Sequence, residues 1–99
     1  MNRVYRVQFV EDICGDRLTV NSATFSTEEK AREHYNYVLE HIKQIEKDYI
    51  ENNGDDDIEL DESCCGNWVT LTTFGGENFY EVMIMSDIID NKKEDLEWF

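Results

Sequence analysis

The 99-residue sequence has no long hydrophobic run, few basic residues and only three cysteines. No apolar stretch approaches the roughly 20 residues needed to cross a bilayer, and no charged-then-apolar signal segment opens the chain, so we expect a cytoplasmic protein without a membrane partner. The cysteines, Cys14, Cys64 and Cys65, form an odd set whose adjacent pair cannot close an ordinary loop. This argues against the disulfide framework of a secreted protein, and we interpret all three as reduced thiols.

Basic residues are scarce: nine lysines and arginines stand against 23 aspartates and glutamates, which gives a net charge of −14. An acidic surface repels nucleic-acid phosphates and anionic lipids, so the composition disfavours direct nucleic-acid binding and favours a basic partner. Hydrophobic residues nevertheless make up 40% of the chain and aromatic residues 12%, too many for a disordered acidic tail. The length is that of one folded domain with a single core, residues 1–99.

Alternating hydrophobicity predicts two β-hairpins. Residues 4–10 place Tyr5, Val7 and Phe9 on one side of a strand, and residues 17–24 are rich in β-branched side chains, with the turn expected between them at residues 11–16. A second hairpin is expected from strands at 67–74 and 79–89, joined through two glycines. The segment 91–99 is polar until Leu96, Trp98 and Phe99, and is interpreted either as a frayed tail or as a short helical turn.

Between the hairpins the period changes to that of a long amphipathic helix. Ser26 and Glu29 have the spacing of a capping box, and the helix is expected to run to about Ile50, with Gly54 ending it. Its apolar stripe is formed by Ala31, Tyr35, Val38, Ile42, Ile45 and Tyr49.

Two interpretations of this stripe are open: it packs on the sheet, or it pairs with another helix in a homodimer or a partner. Two hairpins need an apolar cover, which favours packing on the sheet. The predicted fold is therefore a single α+β domain of order ββαββ, an antiparallel sheet covered by one long amphipathic helix.

Most of the excess negative charge lies in residues 46–62, which contain nine carboxylates and one lysine and are called the acidic segment below. It covers the end of the predicted helix and a connection to the next strand at about 51–63. We predict that its carboxylates bind a partner, with a solvated loop as the simpler alternative. The predicted partner-binding residues are Glu46, Asp48, Glu51, Asp55, Asp56, Asp57, Glu59, Asp61 and Glu62.

The acidic segment also partly matches a twelve-residue calcium loop that starts at Glu51. The matching positions are Glu51, Asn53, Asp55, Ile58 and Glu62. The match fails at position six, where Asp56 replaces the glycine that the sharp turn requires, and a strand instead of a helix follows the loop. We therefore predict no dedicated metal site here.

No other group of residues indicates chemistry. Cys64 and Cys65 lack the spacing of two to four residues typical of zinc ligands, and their acidic neighbours do not suit a nucleophile. His34 and His41 share one helix face, where flanking positions of the stripe explain them. The carboxylates are in excess, so no acid–base pair stands out. We predict no catalytic residue, no metal and no cofactor, and thus a protein that is not an enzyme.

Carboxylates on a rigid frame can imitate the charge pattern of a nucleic-acid backbone. In size, acidity and lack of catalytic residues, and in the junction of strand and capped helix at residues 25–31, the chain resembles small phage-encoded anti-defence proteins, including anti-CRISPR proteins that act as DNA mimics. The resemblance implies an inhibitor that blocks a basic, nucleic-acid-binding surface of a host defence protein such as a nuclease.

Two other hypotheses compete with this function. The first is a small structural or assembly protein that oligomerises through its helix stripe or through Trp98 and Phe99, with the charge serving solubility. The second is a small enzyme or ion sensor that uses the acidic segment as a metal site.

Overall fold

The computed structural model describes residues 2–89. In chain order these form strands β1 (Asn2–Ile13) and β2 (Arg17–Phe25), helix α1 (Glu28–Asn53), and strands β3 (Glu59–Glu62), β4 (Trp68–Thr73) and β5 (Asn78–Ile89). The strands build one antiparallel sheet in the order β2-β1-β5-β4-β3. The predicted α+β class is confirmed, but the element order is ββαβββ and not ββαββ, because the acidic segment contains a strand that its sequence does not indicate.

Both predicted hairpins are present, and the pairing of β1 with β5 joins them into one sheet. Strand β1 is longer than predicted: Glu11 and Asp12 pair with neighbours on both sides instead of belonging to the turn. The turn shrinks to residues 14–16, where Cys14 and Gly15 both take positive φ angles and the Asp16 amide donates to the Ile13 carbonyl at 3.1 Å. The predictions for residues 91–99 lie outside the described residues.

Helix α1 begins one residue later than the capping box predicts. Its N-cap is Thr27, whose hydroxyl accepts a hydrogen bond from the Lys30 amide at 3.3 Å. The predicted cap, Ser26, follows directly on Phe25, which is still paired with Tyr5 in the sheet, so the chain must leave the strand before it can turn into a helix. The helix runs to Asn53, beyond the predicted end at about Ile50. The predicted terminating residue is confirmed, since Gly54 caps the helix with φ 83° and donates to the Ile50 carbonyl at 2.9 Å.

Thr27→Ala tests this assignment of the cap. We expect it to lower the free energy of unfolding by about 1 kcal/mol, because it removes the side-chain acceptor from an exposed amide at the helix start. Ser26→Ala is the matched control and should leave stability nearly unchanged in urea unfolding. If Ser26→Ala lowered the free energy of unfolding more than Thr27→Ala, Ser26 would be the N-cap, as the capping box predicts.

The apolar stripe of α1 packs on the sheet, as the first interpretation held. Ala31, Tyr35, Ile42 and Tyr49 are buried, and they meet a sheet surface built from alternate residues of the central strands. The buried sheet residues are Val7, Val69, Leu71, Tyr80, Val82 and Ile84. Within the described part of the chain, no helix is long and apolar enough to span a membrane.

The hydroxyl of Tyr35 is buried in the core without a hydrogen bond among the described residues. Tyr35 as a whole is 3% exposed. Burial raises the pKa of Tyr35 above its ordinary value of 10.0, and the nearby Arg32 guanidinium lowers it by less. Burial likewise raises the pKa of Tyr80, with a further contribution from Glu11. Both side chains therefore keep their protons more firmly in the folded than in the unfolded protein.

The raised pKa values of Tyr35 and Tyr80 make the free energy of unfolding depend on pH. We expect no loss from these two residues below pH 10 and a falling free energy of unfolding above it, because the tyrosines of the unfolded chain ionise first and release protons that the folded ones retain. Tyr35→Phe should reduce this alkaline loss and should stabilise the protein by about 1 kcal/mol at neutral pH, since it removes an unsatisfied buried hydroxyl. Urea unfolding at pH 7 and above pH 10 measures both effects. Tyr37→Phe, at a position 75% exposed, is the control and should change neither.

Candidate partner-binding site

The acidic segment lies on three consecutive parts of the fold. Glu46, Asp48 and Glu51 lie on the last turns of α1, the three aspartates 55–57 lie in the linker, and the remaining three carboxylates lie on β3. Eight of the nine predicted partner-binding side chains are exposed, and only Glu46 is half-buried. The segment is therefore accessible along its length, and most of its charge is carried by secondary structure.

Short contacts hold the linker between α1 and β3. The Gly75 amide donates to the Asp57 carbonyl at 3.1 Å, which ties the aspartate run to the connection between β4 and β5. Ile58 and Leu60 are partly buried against the core. The backbone that carries the three aspartates is consequently fixed at both ends, as an interaction surface with defined charge positions requires.

Strand β3 sends its carboxylates to two sides of the sheet. It pairs with β4 from Glu59 to Glu62, and because side chains alternate along a strand, Glu59 and Asp61 point to one face and Glu62 to the other. On the helix side, the Lys43 ammonium lies 3.8 Å from a Glu62 oxygen, with both side chains about half exposed (47% and 52%). An ion pair this exposed contributes little to stability.

The C-terminal turns of α1 carry charge of the unfavourable sign. Glu51 lies in the last turn, near the negative end of the helix dipole, and that turn contains no basic residue. Carboxylates at a helix C-terminus cost a few tenths to about 1 kcal/mol each.

Glu51→Lys tests that cost directly. We expect the free energy of unfolding to rise by about 0.5–1 kcal/mol at low ionic strength, because a cation replaces an anion at the negative end of the dipole. Glu40→Lys makes the same charge change at an exposed position in the middle of the helix and serves as the control. Equal effects of the two substitutions on thermal unfolding would show that overall charge, and not the helix end, is responsible.

The residues that resemble a calcium loop do not form one. Glu51 and Asn53 belong to α1 and Glu62 to β3, so the twelve positions cross three structural elements. In the part of the chain that the structure describes, no three histidine, cysteine or acidic side chains are grouped to hold a metal ion. The two histidines pack against aromatic rings instead: the ring centroids of His34 and Phe25 are 5.3 Å apart, and those of His41 and Phe9 are 6.0 Å apart.

The adjacent cysteines lie in the turn between β3 and β4. Cys64 and Cys65 are exposed and free, with their sulfur atoms 3.7 Å apart. Ser63 organises this turn: its hydroxyl accepts from the Asn67 amide at 2.8 Å. Arg32, on the first turns of α1, donates to the Gly66 carbonyl at 2.7 Å. The thiols therefore lie at the far end of β3 from the aspartate run, outside the acidic segment.

An apolar groove of about 270 Å³ lies between α1 and strands β1 and β2. Apolar side chains of both layers line it, together with the polar residues Asn21 and Ser22 and the rings of His34, Tyr37 and His41. No cysteine and no carboxylate are among the described residues that line it. Comparisons of this chain with protein-family models, with curated proteins and with solved structures found no match.

Proposed function

We propose that this protein is a non-enzymatic, DNA-mimicking inhibitor whose acidic segment occupies a basic, nucleic-acid-binding surface of a host defence protein. The observation that carries the proposal is the attachment of the carboxylates to a capped helix, a pinned linker and a paired strand. Mimicry needs charges in fixed positions, because a partner shaped for phosphates discriminates by position as well as by sign.

The spacing on β3 suits this role. Glu59 and Asp61 are two residues apart on one face of the strand, which places them about 6.8 Å apart along its axis. Neighbouring phosphates on one strand of B-DNA have a comparable separation, because each nucleotide step combines the axial rise of 3.4 Å with a turn around the duplex axis. Arginine and lysine side chains placed to contact neighbouring phosphates match the spacing of these two carboxylates.

The experiment is competitive capture. The chain is immobilised, exposed to a bacterial lysate at low salt, and washed with duplex DNA. DNA mimicry predicts a captured protein that duplex DNA releases and that binds DNA by itself. Release by salt but not by duplex DNA would indicate non-specific attraction to an acidic surface and would contradict the proposal.

The competing hypothesis of an assembly protein requires a stable oligomer. In the described fold the stripe of α1 packs on the sheet, so an oligomer through that stripe would require the helix to leave its core. Light scattering at several protein concentrations separates the hypotheses. A mimic requires no self-association, whereas a stable oligomer would support the assembly protein.

A further inference from the structure

Helix α1 covers one face of the sheet, and the opposite face, called the open face below, carries a strip of apolar side chains. Leu18 is 68% exposed, Val20 53% and Trp68 38%. The strand register places Val20 beside Val10, and Met83 beside Trp68. Because alternate residues share a face, the strip crosses four strands, from β2 through β1 and β5 to β4. An exposed apolar strip of this kind is typical of an interaction surface.

Carboxylates line one side of this strip. Asp12 lies beside Leu18 and Phe79, and Glu81 lies beside Val10 and Thr70. Glu59 and Asp61 of β3 continue the row on the same face, and Arg6 is the one basic residue among the open-face side chains of the described strands. The strip therefore has one acidic side with four carboxylates.

One oxygen of these carboxylates is buried without a hydrogen-bond donor among the described residues. It is the Oδ1 atom of Asp12. A buried carboxylate oxygen without a donor is costly. The Asp12 side chain as a whole is partly exposed, so a lysine or arginine brought by a ligand beside Leu18 could pair with the carboxylate, and a rotation of the carboxylate toward that cation would give Oδ1 a donor.

The charges decide which ligand fits. A second copy of the chain facing this surface would set four carboxylates against four, and a lipid headgroup or a nucleic acid would bring further negative charge. A strip of apolar residues about 14 Å across, three strand spacings, matches about three turns of helix. We propose that the open face is a docking site for an amphipathic helix of a partner protein, with an apolar stripe on the strip and lysine or arginine along the side that meets Asp12 and Glu81.

This inference does not depend on the acidic segment, although Glu59 and Asp61 belong to both surfaces. The test therefore uses Leu18, Val20, Asp12 and Glu81, none of which belongs to that segment. Peptide binding to the open face and capture of a DNA-binding partner by the acidic segment are measured separately. A failure of this proposal therefore appears in the first assay, and a failure of the proposed function appears in the second.

The probe is a synthetic peptide helix of about 18 residues, roughly 27 Å long, with leucine on one face and lysine beside it. A scrambled peptide of the same composition controls for attraction to an acidic protein. The sequence has two tryptophans, so in a Trp98→Phe background the fluorescence of Trp68 reports directly on the open face. We expect saturable binding of one peptide per chain with a shift of Trp68 emission to shorter wavelength, and weaker binding of the scrambled peptide.

Two pairs of substitutions locate the contact. Leu18→Thr with Val20→Thr keeps β-forming residues at exposed positions and should weaken binding about tenfold or more. Asp12→Asn with Glu81→Gln should weaken binding and reduce its salt dependence. Tyr37→Ser, at a position 75% exposed on the helix side, and Glu33→Gln with Glu40→Gln are the matched controls and should leave affinity within about twofold.

Several results would overturn the proposal: equal binding of both peptides, or no effect of the paired substitutions in proteins whose circular dichroism shows them folded. A dimer that Leu18→Thr with Val20→Thr dissociates would assign the open face to a second copy. Peptide binding that appears only after Trp98→Ser with Phe99→Ser would assign it to the chain's own C-terminus.

Discussion

Replacing Asp55, Asp56 and Asp57 with serine should slow association with the basic partner about tenfold or more and flatten its salt dependence. The three side chains are exposed, so the change removes charge without disturbing the core. Steering by complementary charge raises association rates by one to three orders of magnitude and weakens steeply with ionic strength. Surface plasmon resonance with the protein released by duplex DNA, run at several salt concentrations, measures both quantities.

The matched control removes the same number of charges elsewhere. Asp16→Asn, Glu33→Gln and Glu40→Gln are exposed positions outside the acidic segment, so a variant with all three has the same net charge as the serine variant. We expect it to associate nearly as fast as the unchanged protein. An unchanged affinity of the serine variant at low salt, or an equal loss in both variants, would remove the proposed role of the acidic segment.

The long helix and its packing could be predicted because both depend on local periodicity. The stripe from Ala31 to Tyr49 repeats at helical spacing, and Gly54 supplies the positive φ that ends the helix. The predicted N-cap, Ser26, is one residue before the observed one, Thr27. The difference arises because the pairing of Phe25 with Tyr5 is a tertiary contact that a local capping pattern does not contain.

Strand β3 could not be predicted because its residues, Glu-Leu-Asp-Glu, lack the β-branched and aromatic side chains that indicate a strand. It forms through backbone hydrogen bonds to β4, which any residue can make, and Leu60 is its one apolar anchor. The acidic segment is visible in the sequence, but its strand β3 is not. The sequence therefore could not show that Glu62 lies on the opposite face of the sheet from Glu59 and Asp61. The open face was missed for the same reason, since it depends on the register of strands distant in sequence.

Ile42→Ala should lower the free energy of unfolding by about 2–5 kcal/mol. Ile42 is fully buried (0% exposed) in the middle of α1, within the cluster that contains Val7 and Leu71. Removing its side chain leaves a cavity between helix and sheet, and the loss is a large part of the 5–15 kcal/mol typical of whole proteins. Urea unfolding followed by circular dichroism measures it.

Ile50→Ala is the control, because it makes the same chemical change in the same helix at a position 40% exposed. The gain in helix propensity from alanine is common to both variants, so the difference between them isolates burial, and we expect Ile50→Ala to cost less than about 1 kcal/mol. Equal costs would contradict the packing of α1 on the sheet. Ile42 also lies one turn before Glu46, so its packing anchors the part of the helix that carries the first carboxylates of the acidic segment. Where Ile42→Ala is still folded, partner association should stay within about twofold, because association depends on the exposed charges and not on the core beneath them.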